Sequence, residues 1–291
     1  MLVNSYEDLL KTVYCKGKKT TNQETGVVTY VVPNVVAVLK PDEFPICTTR
    51  KSYWKSAIRE FICYLRGYSF IDEFHNMGVK TWDNNLSNPK WQNSPHKVSD
   101  EDLGRIYGVQ LREWESPDEV NYDQLQKVIN NLKKGIDDRG EILTMWNPAE
   151  LHMGCLRPCM YSHTFSLVDG TLHLCSIQRS ADVPLGSNYN FIQAWFFLWW
   201  MSKITGHKQG NVTLVMNNAH IYENQMELVH KQIQRNSFDK PKFNSDYSAH
   251  ELEHAVLSNH YLKEVTDLFK VEGYTCHEPI QYPFTTTNPI T

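Results

Sequence analysis

The chain has 291 residues, of which 41% are hydrophobic and 21% are charged, a balance typical of a globular protein. Its formal net charge is −4, so no diffuse basic field would gather a long nucleic acid, and we expect no nucleic acid as substrate. Seven cysteines without a paired CxxC spacing predict neither a disulfide framework nor a zinc site. We therefore expect no metal and a reducing, cytoplasmic setting. The polar N-terminus does not resemble a secretory signal.

Hydrophobic periodicity and β-branched content predict both strands and helices along the chain. In chain order, the sequence predicts a strand over 29–39, helices over 55–67 and 122–135, strands over 161–168 and 171–178, a helix over 191–201, a strand over 211–217 and a helix over 221–233. The apolar run 191–201 is too short to cross a bilayer, so it indicates a buried helix and no membrane association. The mixed order predicts an α+β fold in a single domain, 1–291, with a polar surface insertion near 84–102.

The stretch 156–191 brings together several residue types that carry chemistry. Cys159 follows a proline and precedes a predicted strand, which would hold its thiol at a sheet edge; a lone cysteine is more often a buried, inert side chain than a nucleophile. Arg179 and Ser180 form a cation and hydroxyl pair that suits a phosphate monoester, although an arginine on a strand is as commonly an ion-pair partner. Asn190 could read the edge of a base or simply cap the apolar helix. The residues alone leave these alternatives open.

A second candidate group follows the predicted strand 211–217. His220 and Tyr222 lie two residues apart and therefore on one face of an extended chain. Two polar rings on one face can hold a sugar hydroxyl, but they can also be satisfied groups of the core.

The order of these motifs resembles the thymidylate synthase family. The resemblance is carried by Pro158-Cys159, by "QRSADVPLG" with Asn190, by "AHIY", and by the segments "PICTTRKSYWKSAIREF", "GVKTWD", "IYGVQ" and "DDRGEILTMWNPAEL", which together cover nearly the whole chain. It implies a large mixed sheet packed with helices, a homodimer through the sheet face, and a one-carbon transfer from 5,10-methylenetetrahydrofolate to C5 of dUMP. The folate would be a co-substrate, and the setting would be the host cytoplasm if the chain is viral.

The resemblance also implies a role for each matching residue. Cys159 would attack C6 of the uracil ring, Glu60 would move protons through ordered water, and Asn190 would read the N3 hydrogen and O4 of the base. The remaining catalytic match is Tyr107; the implied substrate-binding residues are Arg179, Ser180, Gln178, His220, Tyr222 and Lys19, with Arg139 reaching the site of a partner subunit; the implied folate-binding residues are Trp82, Asp182, Leu156, Gly186 and Tyr189.

Several positions depart from the family pattern. Met160 replaces a histidine, Gly140 replaces one of two paired arginines, Asn85 replaces a second tryptophan, and Asn217-Asn218 replace a glycine and aspartate. The C-terminal stretch 282–291 also extends past the usual end of the family's closing segment.

These departures affect the expected product. Viral pyrimidine hydroxymethylases resemble this chain at Asn85 and Asn218, and a wetter site would favour capture of water over hydride transfer. The sequence therefore slightly favours 5-hydroxymethyl-dUMP as the product. The alternative is an ordinary thymidylate synthase that makes dTMP and dihydrofolate, and a third hypothesis is a non-catalytic relative that binds a nucleotide or RNA.

Overall fold

A mixed β-sheet with helices packed on it forms the core of the protein. The computed structural model describes residues 1–23, 25–116 and 120–285. The strands are β1 (Leu2–Val3), β2 (Lys18–Thr21), β3 (Val28–Leu39), β4 (Trp114–Glu115), β5 (Asn121–Tyr122), β6 (Ile142–Thr144), β7 (Met160–Val168), β8 (Thr171–Gln178), β9 (Ala181–Asp182), β10 (Lys208–Tyr222), β11 (Lys242–Asn244) and β12 (Lys270–Glu272). The helices are α1 (Tyr6–Lys16), α2 (Trp54–Leu65), α3 (Ile71–Asn76), α4 (Asp83–Leu86), α5 (Pro89–Gln92), α6 (Tyr107–Arg112), α7 (Gln124–Lys133), α8 (Asn188–Thr205), α9 (Met226–Ile233) and α10 (Ala249–Leu257).

The large sheet has eight strands, in the order β1-β3-β10-β8-β7-β6, with β2 added beside β3 and β9 beside β10. Neighbours β7 and β8 are antiparallel, whereas β8 and β10 are parallel. The predicted α+β fold with a large mixed sheet is therefore confirmed.

Helix α8 supplies the centre of the core. Its side chains from Phe191 to Met201 are all buried, and it packs against α2, α10 and the sheet strands β8 and β10. A helix that is apolar all round is stable only when it is covered on every side. It ends at Gly206, whose left-handed backbone (φ 77°) terminates the helix in the usual way. The predicted buried helix is confirmed and is longer than the apolar run alone indicated.

A tight turn joins β7 to β8. Asp169 and Gly170 both have positive φ values, of 47° and 68°, as a two-residue hairpin turn with the right twist requires. The turn fixes the register from Val168 opposite Thr171 to Ser162 opposite Ile177, and an irregularity between Ser162 and Met160 then shifts it by one residue, so that Met160 pairs with Gln178. The residues just outside the hairpin, Cys159 and Arg179, are thereby placed side by side.

Two local predictions differ from the structure. The predicted helix 221–233 is helical only from Met226, because β10 continues to Tyr222 and a 3₁₀ turn follows over Glu223–Gln225. The segment 84–102 contains two short helices, and its Trp91 is buried with the indole donating to the Asp102 carbonyl at 2.7 Å. Part of this segment is thus anchored to the core, while its status as an insertion stays a prediction, as does the single domain.

Two further expectations concern the chain's ends and surfaces. The C-terminal stretch 282–291 is described only as far as Thr285, and residues 286–291 lie outside the described residues. Within the described ranges, none of the helices combines the length and the apolar character that crossing a membrane would require.

Candidate active site

A cleft of about 230 Å³ opens where the ends of β8, β9 and β10 meet the start of α8. Most of the residues predicted for the site line this cleft, which we call the nucleophile cavity. They are Tyr107, Leu156, Cys159, Ser180, Asp182, Gly186, Asn190, His220 and Tyr222. Asn85, Ala181, Leu185, Phe284 and Thr285 complete the lining.

The sheet register explains why Cys159 meets Arg179. The backbone N–H of Arg179 donates to the Cys159 carbonyl at 2.9 Å, which extends the hairpin by one pair. The guanidinium is then held by the carbonyls of Pro158 (2.9 Å) and Arg157 (3.0 Å), and it lies 3.7 Å from the Cys159 sulfur. Its other support is the ring of Trp146, 5.7 Å below the guanidinium carbon. A fixed cation next to the sulfur favours the thiolate, which is the nucleophilic form.

Tyr107 contacts Cys159 through the cysteine's backbone. Its hydroxyl accepts a hydrogen bond from the backbone N–H of Cys159 at 2.7 Å, and its ring stacks on that of Tyr64. Burial raises the pKa of the Cys159 thiol, and the Arg179 guanidinium opposes that rise. The site therefore combines a burial that favours the thiol with a cation that favours the thiolate.

Glu60 lies in α2, behind the lining of the nucleophile cavity. It is only 8% exposed, and its two carboxylate oxygens accept hydrogen bonds from the Thr81 hydroxyl and, at 2.7 Å, from the Gln193 amide. Burial raises the pKa of the Glu60 carboxyl, while the bonds from Thr81 and Gln193 counteract the shift. A carboxyl whose pKa is moved toward neutrality can both take up and release a proton, as a general acid or base must.

Asn190 occupies the first turn of α8 and projects into the cavity. Its Nδ2 donates to Oε1 of Gln178 at 3.2 Å. Gln178 is itself buried, at 1% exposure, at the end of β8. This amide pair fixes the orientation of Asn190, so that a defined donor and acceptor pattern faces the cavity.

The predicted folate residues fall into two groups. Asp182, Leu156 and Gly186 line the nucleophile cavity, whereas Trp82 is buried behind it, its indole donating to the Tyr64 hydroxyl at 3.2 Å. Tyr189 is half-buried in α8 and is not among the lining residues. Burial raises the pKa of Asp182 to about 6, against the opposing bonds from the Leu185 N–H and from Gln225.

A second cleft, of about 270 Å³, adjoins the first and shares Ser180 and His220 with it. We call it the polar cavity. It is lined by Thr20, Asn22, Thr29, Val31, Arg179, Ser180, Asn218 and His220. Parallel pairing of β9 with β10 produces this arrangement, because Ala181 pairs with Ala219 and Asp182 with His220.

Lys19 and Arg139, both predicted to bind the substrate, lie away from both cavities. The Lys19 ammonium in β2 forms an exposed ion pair with Glu223 at 2.8 Å. Arg139 is exposed in the loop before β6, where its backbone has a positive φ of 67°. The structure therefore does not bring either side chain to Cys159.

Sequence reasoning missed the residues that support Glu60 and Arg179. Gln193 could have been found, because it is the one polar residue in the apolar run 191–201 and a buried amide needs partners. Thr81 and Trp146 gave no comparable signal, since threonine and tryptophan at those positions fit many local structures.

Comparison with known proteins supplies the decisive observation. The thymidylate synthase family model matches residues 4–286. The chain is 48% identical to the thymidylate synthase of Mannheimia succiniciproducens, over 97% of this chain and 99% of the relative, and 47% identical to that of Pseudoalteromonas translucida over the same shares. The chain belongs to the thymidylate synthase family.

Membership of this family confirms several of the expectations from sequence. The chain is a member of a family of folate-dependent transferases, with methylenetetrahydrofolate as the co-substrate. The absence of a metal stays a prediction; among residues 1–23, 25–116 and 120–285, no three His, Cys, Asp or Glu side chains are grouped so that they could hold a metal ion. The thymidylate synthase of Idiomarina loihiensis, 46% identical over 97% of this chain, extends the same similarity to another organism.

Proposed function

We propose that this protein is a thymidylate synthase that converts dUMP to dTMP, with methylenetetrahydrofolate as the source of both the carbon and the hydride. The observation that carries the proposal is the pairing of Cys159 with Arg179 in a cavity that also contains Asn190 and Asp182. The names of the relatives, which match along 97% of the chain, support the methyl product.

This proposal replaces 5-hydroxymethyl-dUMP, the product that the sequence slightly favours, with dTMP. The expectation of 5-hydroxymethyl-dUMP depends on Asn85 and Asn218, which would leave the site wetter than a tryptophan and an aspartate would. The relatives favour the alternative reading, that of an ordinary thymidylate synthase. A non-catalytic relative that only binds a nucleotide or RNA would not need a thiol beside a guanidinium, so we do not favour that hypothesis.

In the proposed mechanism, Cys159 makes the attack and Glu60 removes the proton. The Cys159 sulfur would bond to C6 of uracil, and the electron pair of the C5–C6 bond would move toward O4, where the Asn190 amide can stabilise the charge. Arg179, 3.7 Å from the sulfur, stabilises the thiolate before the attack. After C5 has taken up the carbon, it must lose its proton, and Glu60 is the buried carboxyl available to receive it through water.

Dihydrofolate and dTMP are the products to measure. With dUMP and methylenetetrahydrofolate, we expect equal amounts of dTMP, by mass spectrometry, and of dihydrofolate, by absorbance. Tetrahydrofolate together with 5-hydroxymethyl-dUMP would contradict the proposal.

The nucleophile can be tested separately from the product. Cys159→Ser should lower kcat by about 10⁴ or more while retaining nucleotide binding, because a hydroxyl lacks thiolate character. Wild type should form a covalent ternary complex with 5-fluoro-dUMP and the folate, visible as added mass on the intact chain. Cys15→Ser, which changes an exposed thiol on α1, is the matched control and should keep full activity.

Base selection follows from the amide at position 190. Asn190→Asp should lose turnover of dUMP and gain some turnover of dCMP, since a carboxyl presents a different hydrogen-bond pattern to the ring. Competition between the two nucleotides, followed by product mass, measures the change. An unchanged preference for dUMP would refute the assignment of Asn190.

We also propose a homodimer formed through the outer face of the large sheet. In β8, residues alternate between buried positions facing the helices and half-buried positions on the other face, which include His173, Cys175 and Ile177. A sheet face that is half-buried and partly apolar in one subunit is suited to cover by a second copy. Arg139, exposed in one subunit, would then contact the phosphate in the partner's site.

Mixing two inactive proteins tests the shared site. Cys159→Ser lacks the nucleophile, and Arg139→Glu should weaken nucleotide binding in the neighbouring subunit. After the two are unfolded and refolded together, mixed dimers contain one site with both wild-type residues, so part of the activity should return. A monomer in light scattering at micromolar concentration, or no regain on mixing, would argue against the dimer.

A further inference from the structure

His220 and Asn218 form a hydrogen-bonded pair at the end of β10. Because they are two residues apart on an extended strand, both side chains project from the same face. The Nδ1 atom of His220 lies 3.0 Å from the Oδ1 atom of Asn218. Asn218 lines the polar cavity, and His220 lines both the polar cavity and the nucleophile cavity.

The chemistry of the amide decides which imidazole nitrogen carries the hydrogen. An amide oxygen can only accept a hydrogen bond, so Nδ1 must donate, and in a neutral imidazole the other nitrogen, Nε2, then has a free lone pair. Within the described part of the chain, His220 makes its side-chain hydrogen bond through Nδ1 and not through Nε2. A bare acceptor nitrogen is therefore left for a ligand in the cavity.

The surroundings keep this imidazole neutral. His220 is 7% exposed, and burial lowers its pKa to about 4; a hydrogen bond to the Asn218 backbone opposes this shift, and the Arg179 guanidinium adds to it. The other titratable neighbours are Tyr222 on the same strand, 5.0 Å away between rings, and Asp182, which pairs with His220 in backbone register. Across β10, the polar cavity's remaining walls are the neutral residues Thr20, Asn22, Thr29 and Val31.

We propose that Asn218 is a positioning residue that holds His220 as the neutral Nδ1–H tautomer, which leaves Nε2 as the acceptor for the sugar hydroxyl (in dUMP, the 3′-hydroxyl) that the family resemblance already implies for His220. The proposal rests on the proposed function in so far as the ligand is a deoxynucleotide. An aspartate at position 218 would keep the same tautomer at high pH, but its negative charge would raise the pKa of His220. Asparagine thus makes recognition of the sugar independent of pH over the working range.

The tautomer can be read in the protein without any ligand. In protein labelled with ¹⁵N-histidine, a two-bond proton–nitrogen correlation spectrum distinguishes a nitrogen that carries a hydrogen from a bare one. We expect His220, assigned by the signals missing in a folded His220→Gln variant, to show a protonated Nδ1 and a bare Nε2 from pH 5.5 to 8.5. A hydrogen on Nε2, or a titration of His220 near pH 6.5, would overturn the proposal.

Calorimetric Kd values for dUMP provide the second test. The ratio of the Kd of Asn218→Asp to the Kd of Asn217→Asp should be about ten-fold larger at pH 5.5 than at pH 8.5. The aspartate favours a charged imidazolium at low pH, and an imidazolium has no acceptor nitrogen for the hydroxyl. Asn217→Asp adds the same charge one residue away on the other face of the strand, so the ratio of the two Kd values cancels the titration of the nucleotide phosphate.

A nucleotide without the hydroxyl completes the design. For 2′,3′-dideoxyuridylate, the ratio of the two Kd values should not change with pH. A ratio for dUMP that is constant with pH, or a pH effect that is equally large for the dideoxynucleotide, would overturn the proposal. Neither measurement needs turnover. If the proposed function is wrong, no dTMP forms, whereas the spectrum of His220 can still show the expected Nδ1–H tautomer.

Discussion

Glu60 and His220 are both proposed for the active site, but the protein supports them in different ways. Glu60 is held by Thr81 and Gln193 in a buried pocket between α2 and α8. His220 lies where strands end, beside an open polar cavity, with Asn218 as its partner. We call the first region, made of Glu60, Thr81 and Gln193, the inner wall and the second, made of Arg179, Asn218 and His220, the strand rim.

The two regions differ in how many of the required groups a single chain supplies. The inner wall is formed within a single chain, by hydrogen bonds from Thr81 and Gln193 to Glu60. The strand rim offers one cation, Arg179, for the phosphate of the proposed nucleotide, which carries two negative charges, whereas Arg139 and Lys19 lie elsewhere. Substitutions in the inner wall should therefore act mainly on kcat, and those in the rim mainly on nucleotide binding.

The largest effect is expected at the carboxyl of the inner wall. Glu60→Gln should lower kcat by about 10² to 10⁴, because an amide can accept hydrogen bonds but cannot take up a proton. The Kd for dUMP should change little. Loss of tritium from [5-³H]dUMP measures the proton step directly, and normal tritium release in this variant would remove Glu60 from that role.

A smaller effect is expected at the group that orients this carboxyl. Gln193→Leu should lower kcat by about 10 to 100, because it leaves one oxygen of Glu60 buried without its donor. Gln193→Glu is the informative second variant, since two neighbouring carboxyls should share a proton and shift the pH profile of kcat upward. If both variants keep the wild-type profile, the inner wall does not depend on Gln193.

Asp182 tests the cavity on the folate side. Its pKa is raised to about 6, so the carboxylate becomes protonated as the pH falls below that value. If the carboxylate binds the pterin, the KM for the folate should rise about ten-fold from pH 7.5 to pH 5, while Asp182→Asn should show a higher KM that does not vary with pH. A KM in wild type that is flat over this range would contradict the role of Asp182.

The smallest effect on activity is expected at His163, which packs between Phe61 and Phe197 beside the inner wall. Both ring nitrogens lack hydrogen-bond partners among the described residues, and burial lowers the pKa of His163 to about 3. His163→Phe should raise the free energy of unfolding by about 1 to 3 kcal/mol.

The pH dependence of stability gives this prediction its sign. His163 has a lower pKa in the folded protein than its usual 6.5, so the unfolded chain binds the proton more tightly. Wild type should therefore lose stability as the pH falls from about 6.5 toward 3, by roughly 4 to 5 kcal/mol from this group. In urea unfolding at pH 7 and pH 5, the free energy of unfolding of His163→Phe should fall less between the two pH values than that of wild type. An equal fall in both proteins would exclude His163 as the cause.

How far the sequence could predict the site depends on the distance along the chain. Cys159 and Arg179 are 20 residues apart and are joined by one hairpin, so strand patterning and a turn already place them together. Glu60 and Gln193 are 133 residues apart, and their contact depends on the packing of two helices, which periodicity does not specify. The helix predicted over 221–233 failed for a related reason, because pairing with β3 extends β10 through Tyr222 against the local pattern.

The turn at Asp169–Gly170 also bears on how the protein folds. Loop-closure entropy is small for a short hairpin and grows with the length of chain enclosed. The thiol and its guanidinium partner can therefore come together in an early, local structure, whereas the carboxyl and its amide partner must wait for most of the chain. During refolding, we expect the hairpin amides of β7 and β8 to gain protection from hydrogen exchange before the amides of α2 and α8 do.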